Sequence, residues 1–356
     1  MRITHLIGAG ALLAGTALTP ALADTFRLTV AAGQAPQALP SLAAVQDFFI
    51  PEVNKRLEAS GTGHEIRFQE AYAGSLLKAG SVLQGVADGI ADIGYVPSIF
   101  HPDKLPLEQV SFVTPFCTTD VAAVTAAMST LYEDIPAMAG QYDKFNQIRL
   151  AGTGVDSYEL ISSKPVRSFE DMRGMKIGTA GAATAWMRGV DVVPVQSNMM
   201  EYYNSTQSGV YDAFIIMPST MPGMNYAEVA PYVTEVNYGA MYAAVLTMNK
   251  DALAKLPQEV QDVILEVAAE YGEYADHAYE TAGEKAFEIV GAMEGTERIA
   301  YPAEARTAWA SEMDNLALEW AAAQEAAGLP GTEVLEGYMN ALRAAGVTCE
   351  RDWDKE

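Results

Sequence analysis

Short apolar runs alternate with longer periodic stretches along this chain, and that rhythm carries the first expectation about its fold. Phe26 to Ala32 alternates with period two and stops at Gly33, as a half-buried strand does. Apolar positions recur at helical spacing from Leu42 to Leu57, and a strand follows at Glu65 to Tyr72. The turn Ala73-Gly74-Ser75 leads into a helix at Leu76 to Ala87 that Gly89 stops, and Ala91 to Val96 reads as a short buried strand. Strand, helix, strand, helix, strand implies crossover connections and a mostly parallel sheet.

The same alternation restarts further on. Gln147 to Gly152, Tyr158 to Ser162, Met175 to Ile177, Val192 to Val195 and Ala213 to Met217 are strand-like, with helical stretches at Ala182 to Met187 and Met199 to Gln207. A strand at Ala243 to Met248 precedes a periodic helix from about Pro257 to about Met293, longer than globular helices usually run and long enough to cross two lobes. Helices near 303–326 and 332–344 close the chain. The expected fold class is α/β, with two lobes built on mixed sheets and one long shared helix. Residues 24–154 with about 243–280 form the first lobe, and 155–242 with about 281–330 the second. Residues 331–356 are a C-terminal helix and tail.

The N-terminus changes the compartment. Arg2 and His5 make a short polar region, Leu6 to Leu18 is apolar, Pro20 breaks it, and Ala21-Leu22-Ala23 is an A-x-A cleavage site. The run is short of the roughly 20 residues a membrane span needs, so the expectation is export to the periplasm with cleavage after Ala23. Loss of Arg2 then takes the formal charge from −24 to −25. Such an excess of acid excludes a nucleic-acid surface and an anionic membrane surface, and self-repulsion favours a monomer. Outside the cytoplasm Cys117 and Cys349 have two readings, a disulfide tying the tail to the first lobe or two separately buried thiols.

An exported α/β protein invites comparison with hydrolases, but the chemistry is missing. Ala73-Gly-Ser-Leu-Leu77 lacks the second glycine of a G-x-S-x-G elbow. His64, His101 and His277 have no helical partner for a metal pair, and neither phosphate-cradling glycine motif occurs. No cofactor or metal is expected.

Several ordered motifs carry a resemblance. In the first lobe these are Tyr72-Ala-Gly-Ser-Leu76 and Gly85-Val-Ala-Asp-Gly-Ile-Ala-Asp92. In the second they are the stretch from Ser163 through Lys164-Pro165 and Asp171-Met-Arg-Gly-Met-Lys-Ile177, then Val193-Pro-Val195, and Glu201 through Gln207-Ser-Gly209 to Asp212. Leu256-Pro-Gln-Glu-Val-Gln261 opens the long helix. From about Phe26 to about Glu297 the chain resembles the extracytoplasmic solute receptors of TRAP transporters, the DctP-type substrate-binding proteins. The resemblance implies capture of a small organic solute between two lobes and its delivery to separate permease membrane subunits. An exported enzyme of unknown type and a receptor presenting its ligand to a signalling partner are the rival readings.

The resemblance also shows where this chain departs. Family members fix a substrate carboxylate with an arginine just after "K-I", because a guanidinium fork matches that anion; here that position is Gly178. A second basic position falls on Tyr158, and the usual asparagine after the next strand falls in Phe214 to Met217. The implied ligand is therefore less acidic, or more apolar and aromatic, than a dicarboxylate. Candidate ligand-binding residues are Gln34, Tyr95, Pro97 and Ser98 from the first lobe. From the second they are Tyr158, Gly178, Thr179, Trp186, Asn198, Met199 and Met217, with Trp186 and Met217 equally readable as core. Tyr202 and Tyr203 read as packing, and Arg188 as a solvated helix-end arginine or a relocated cation.

Overall fold

The computed structural model describes residues 24–355; the export signal read at residues 1–23 lies outside them. Eleven strands form two sheets: β1 (Thr25–Ala31), β2 (Glu65–Ala71), β3 (Ile93–Pro97), β4 (Gln147–Val155), β5 (Glu159–Ser162), β6 (Lys176–Thr179), β7 (Val193–Gln196), β8 (Ala213–Ile216), β9 (Tyr232–Glu235), β10 (Met241–Asn249) and β11 (Glu297–Ala300). The first sheet runs β2-β1-β3-β10-β4 and the second β11-β9-β5-β8-β6-β7. In the first, β1 pairs in parallel with β2 and β3, while β10 is antiparallel to β3 and β4. All nine residues of β10 are buried, which a central strand covered on both faces requires. In the second, β6, β7 and β8 are parallel and β5 is antiparallel to β8 and β9. Two α/β lobes with mixed sheets are thus present, as the alternating pattern implies.

Two strand-to-strand connections, β4 to β5 and β9 to β10, cross between the lobes, and these crossings are stitched side by side. The Tyr158 amide donates to Gly239 O at 3.1 Å and the Tyr238 amide to Tyr158 O at 3.2 Å. The Asn237 amide donates to the Glu159 carboxyl at 2.7 Å, and burial holds that carboxyl well above the usual carboxylate range. Beside the crossings lies the helix Gln258–Gly291, 34 residues and so roughly 50 Å long. Its buried positions Val260, Ile264, Val267, Tyr271, Ala275, Tyr279, Gly283 and Val290 follow the three-and-four spacing of one apolar face. That face rests on β4 and the helix Pro40–Ala44 in the first lobe, then on the turn Pro218–Thr220 and β11 in the second.

Local structure departs from the periodicity where short elements turn tightly. The stretch predicted as a helix at Ala182 to Met187 is a 3₁₀ segment, Gly181–Met187, and the predicted helix near 303–326 breaks at 313–315 into Ala303–Glu312 and Leu316–Ala326. The helix Leu316–Ala326 packs on the 3₁₀ segment Pro106–Val113 of the first lobe, with Trp320 Nε1 donating to Pro106 O at 3.2 Å. Part of the stretch assigned by sequence to the second lobe therefore lies on the first, because its apolar face has more surface to cover there. The helix Gly331–Ala344 covers the neighbouring helix Val121–Asp134.

Cys117 and Cys349 form a disulfide across 232 residues of sequence. It fastens the tail against the strap before Val121. The Glu350 amide donates to Phe116 O at 3.0 Å, and the fully buried Trp353 donates from Nε1 to Pro115 O at 2.7 Å. Among the described residues no helix is long and apolar enough to cross a membrane. Because the bridge closes a long loop, it removes much entropy from the unfolded chain. Replacing both cysteines by serine is expected to lower the unfolding free energy by roughly 2–5 kcal/mol, measured as a fall in guanidinium midpoint at unchanged slope.

Candidate functional site

Parallel strands of an α/β sheet leave a crevice beyond their carboxyl ends, where neighbouring connections diverge. Here the carboxyl ends of β1 and β3 face those of β6 and β8 across the gap between the lobes. The cavity there, about 60 Å³, takes Gln34, Leu39, Tyr95, Pro97, Ile99 and Phe100 from the first lobe, with Ala243 and Ala244 of β10. From the second it takes Ala180, Met199, Tyr202 and Ile215 to Met217. Val155 and Tyr158 come from a crossing and Tyr279 from the long helix. An apolar cavity that admits benzene measures roughly 150 Å³, so a flat solute fits here only if the lining side chains or the lobes give way. Larger hollows of about 680 and 790 Å³ flank the long helix, but neither lies at the strand carboxyl ends.

No lining residue is charged at neutral pH. The polar groups are the Gln34 amide and four phenols. Tyr95 Oη shares a 2.6 Å hydrogen bond with Ser41 Oγ, which in turn donates to Tyr279 Oη at 3.3 Å. Burial pushes the Tyr95 phenol up to about 12 and the Tyr202 phenol well above its ordinary value, so all remain neutral donors. Gln34 Oε1 and Tyr202 Oη are buried without a hydrogen-bond partner among the described residues. Buried polar atoms cost free energy until paired, and the side chains of these two line the cavity.

Six of the sequence-derived candidates, Gln34, Tyr95, Pro97, Tyr158, Met199 and Met217, line this cavity. Five do not. Ser98 is fully buried in the turn after β3, its carbonyl held by Gln109 Nε2 at 2.9 Å. Thr179 Oγ1 is bonded to Thr184 Oγ1 at 2.8 Å, and the Asn198 side chain accepts from the Met200 amide at 3.0 Å, closing its own turn. Trp186 has no exposed surface. Its Nε1 donates to Phe112 O at 2.7 Å, and its ring stacks between Phe112 and Tyr238 with centroids at 6.3 and 5.2 Å. It is an inter-lobe core residue. Arg188 pairs with Glu319 at 2.6 Å on the surface and sends no charge to the cavity.

At Gly178 there is no room for the arginine that the family resemblance implies there. A Cβ built there would sit 2.9 Å from Tyr211 Cζ and 3.2 Å from Tyr202 Cε1. The two tyrosines occupy the space a longer side chain would need, and Tyr202, stacked on Phe214 at 4.7 Å, is held against the cavity. Sequence reasoning took Tyr202 for packing and passed over Tyr279, Ile99 and Phe100. The departure at Gly178 was the available signal, since a vacated arginine site must be filled by something.

The fold and cavity together define a two-lobed solute-binding protein. A family model for DctP, the bacterial extracellular solute-binding proteins of family 7, matches residues 41–324, and the chain belongs to that family. It is 28% identical over 130 residues to a solute-binding protein of Sulfitobacter sp. NAS-14.1, covering 36% of this chain and 39% of that one. Against the C4-dicarboxylate-binding periplasmic protein DctP of Rhodobacter capsulatus it is 29% identical over 157 residues, covering 43% and 47%. These matches span less than half of each relative. A TRAP solute-binding protein of Rhodoferax ferrireducens, solved with copurified benzoate, has the same fold at a TM-score of 0.75 and 18% identity, over 90% of this chain and 98% of that one.

Two predictions follow from the buried groups. Gly178→Ala is expected to destabilise the protein by about 1–3 kcal/mol, because the rings of Tyr202 and Tyr211 must move, read from denaturant unfolding. Asp156, at the crossing, accepts from Ser219 N at 2.9 Å and Oγ at 2.6 Å, yet burial pushes its carboxyl up to about 7 from 3.8. Asp276, which accepts from Thr125 Oγ1 at 3.0 Å, is likewise raised to about 7. The folded state thus holds protons that the unfolded state releases, and their contribution to stability, full below about pH 4, is lost as pH rises through about 7. The unfolding midpoint should fall from pH 5 to 7.5, and Asp156→Asn should flatten part of that slope.

Proposed function

We propose that this protein is the periplasmic solute-binding subunit of a TRAP-type secondary transporter, exported with cleavage after Ala23. It captures a small organic solute by closure of its two lobes and delivers it to a permease made of separate membrane chains. It does so as a monomer and performs no chemistry on the solute. The observation that carries the reading is the cavity at the strand carboxyl ends, walled by both lobes and the β4-to-β5 crossing, which a solute touches in full only when the lobes are shut. Family membership and the shared fold support it. We place residues 24–154 with about 243–280 in the first lobe and 155–242 with about 281–330 in the second, except that helix Leu316–Ala326 packs on the first lobe.

The solute is bound without an arginine clamp. A carboxylate in this lining would meet neutral phenols and one amide, and an anion buried without a counter-charge costs several kcal/mol. Aromatic and methionine walls favour a flat, neutral or weakly polar molecule, with Gln34 and Tyr202 as the groups it satisfies. The solved relative with benzoate shows that the fold accommodates an aromatic ring.

Native mass spectrometry of protein purified from the periplasm, followed by denaturing release, tests this directly. A neutral or cationic aromatic or apolar mass is expected; a retained dicarboxylate would overturn the ligand class, and conversion of the solute would overturn the non-catalytic reading. Tyr158 packs edge-on against Phe112 and Trp186 at 6.2 and 5.5 Å, so removing its ring would damage the core. Tyr158→Phe is the informative change, expected to weaken binding of the released solute roughly tenfold by calorimetric titration at unchanged stability.

A further inference from the structure

Two glycines of the second lobe press their bare Cα atoms against backbone carbonyls of the first. A Cβ at Gly223, in the short helix Met221–Met224, would lie 2.4 Å from Gln37 O. One at Gly181, just after β6, would lie 2.6 Å from Ile99 O and 2.7 Å from Ile99 Cγ1. Gln37 belongs to the turn Pro36–Ala38 that follows β1 and borders, with Gly223, a hollow along the long helix, while Ile99 lines the cavity, so the lobes touch at two separate points. A backbone carbonyl cannot swing aside as a side chain can. Any Cβ at these positions must therefore hold the lobes apart.

The two glycines differ in what else they do. Gly181 has φ +50°, a conformation that disfavours side chains for local reasons. Gly223 carries no such demand: it is helical with no positive φ, the three atoms nearest its Cβ all belong to the first-lobe backbone at Gln37 and Ala38, and alanine is the better helix former.

We propose that Gly223, with Gly181 at the second contact between the lobes, is a positioning residue for lobe closure, and that the missing side chain sets how far the cleft shuts and hence how long the solute is held. This rests on the receptor reading above. Gln37 O must retreat by more than half an ångström to admit a methyl group, and a closed state so wedged loses the simultaneous contacts that retain the solute.

Gly223→Ala tests the proposal. Spin labels on Glu58→Cys and Val210→Cys, one on each lobe, report closure when benzamide, a neutral flat solute, or benzoate is added. Wild type is expected to shift to a short distance with benzamide. Gly223→Ala, melting at or above the wild-type temperature, should stay at the long distance and release benzamide roughly tenfold to a hundredfold faster. Gly223→Ala that closes and releases like wild type overturns the proposal. Wild type that closes on benzoate alone overturns the ligand class instead, and the same comparison with benzoate then judges Gly223. If neither solute closes the wild type, trapping of Gln37→Cys to Asn225→Cys by a short bifunctional thiol reagent counts spontaneous closures. Gly223→Ala slowing that trapping at least tenfold supports the assignment, and equal rates overturn it.

Discussion

The indole of Trp186 is the fixed point between the lobes. It is stacked between Phe112, on the first lobe's strap, and Tyr238, on a crossing, and its Nε1 donates to the Phe112 carbonyl. Tyr158 meets the same ring edge-on, and Trp309 reaches it by donating to the Trp186 carbonyl at 3.3 Å. Large aromatic rings buried together contribute area and oriented contacts that smaller residues cannot. This stack ties the first lobe, the second lobe and both crossings to one ring.

The elements around the stack reinforce that tie in different ways. The paired crossings bind it with backbone hydrogen bonds, and the long helix lays one apolar face along both lobes. The disulfide and Trp353 fix the tail beside the strap that carries Phe116. Buried acids at Asp156, Glu159 and Asp276 stand close to the crossings, each held by neutral donors and none by a cation. Their raised proton affinities follow from that choice of partners, since hydroxyls and amides offset only part of the desolvation of a carboxylate.

The cavity is phenolic and apolar throughout. Beside Gly178 the rings of Tyr202 and Tyr211 fill the space a longer side chain would need. The cleft therefore presents phenols and one amide on an apolar lining. Gly181 and Gly223 bring the two lobes into close contact at separate points, because neither carries a side chain there.

The sequence by itself determined the α/β order, the exported class and the absent arginine, because period, glycine punctuation and motif spacing are local properties. It also placed Gln34, Tyr95, Tyr158, Met199 and Met217 at the cleft, since each sits at or beside the end of a strand. It was silent on β9 and β11, four residues each, whose edge pairing no local pattern announces. Tertiary structure alone decided that Trp186 is core and Tyr202 lining, for both are aromatic residues on short helical segments of the second lobe. Which way such a ring faces depends on what lies across the lobe, Phe112 and Tyr238 for one and Gly178 for the other. The pairing of Cys117 with Cys349 and the meeting of Gly223 with Gln37 were decided the same way. Both join residues far apart in the chain, and proximity of that kind exists only once the sheets have packed.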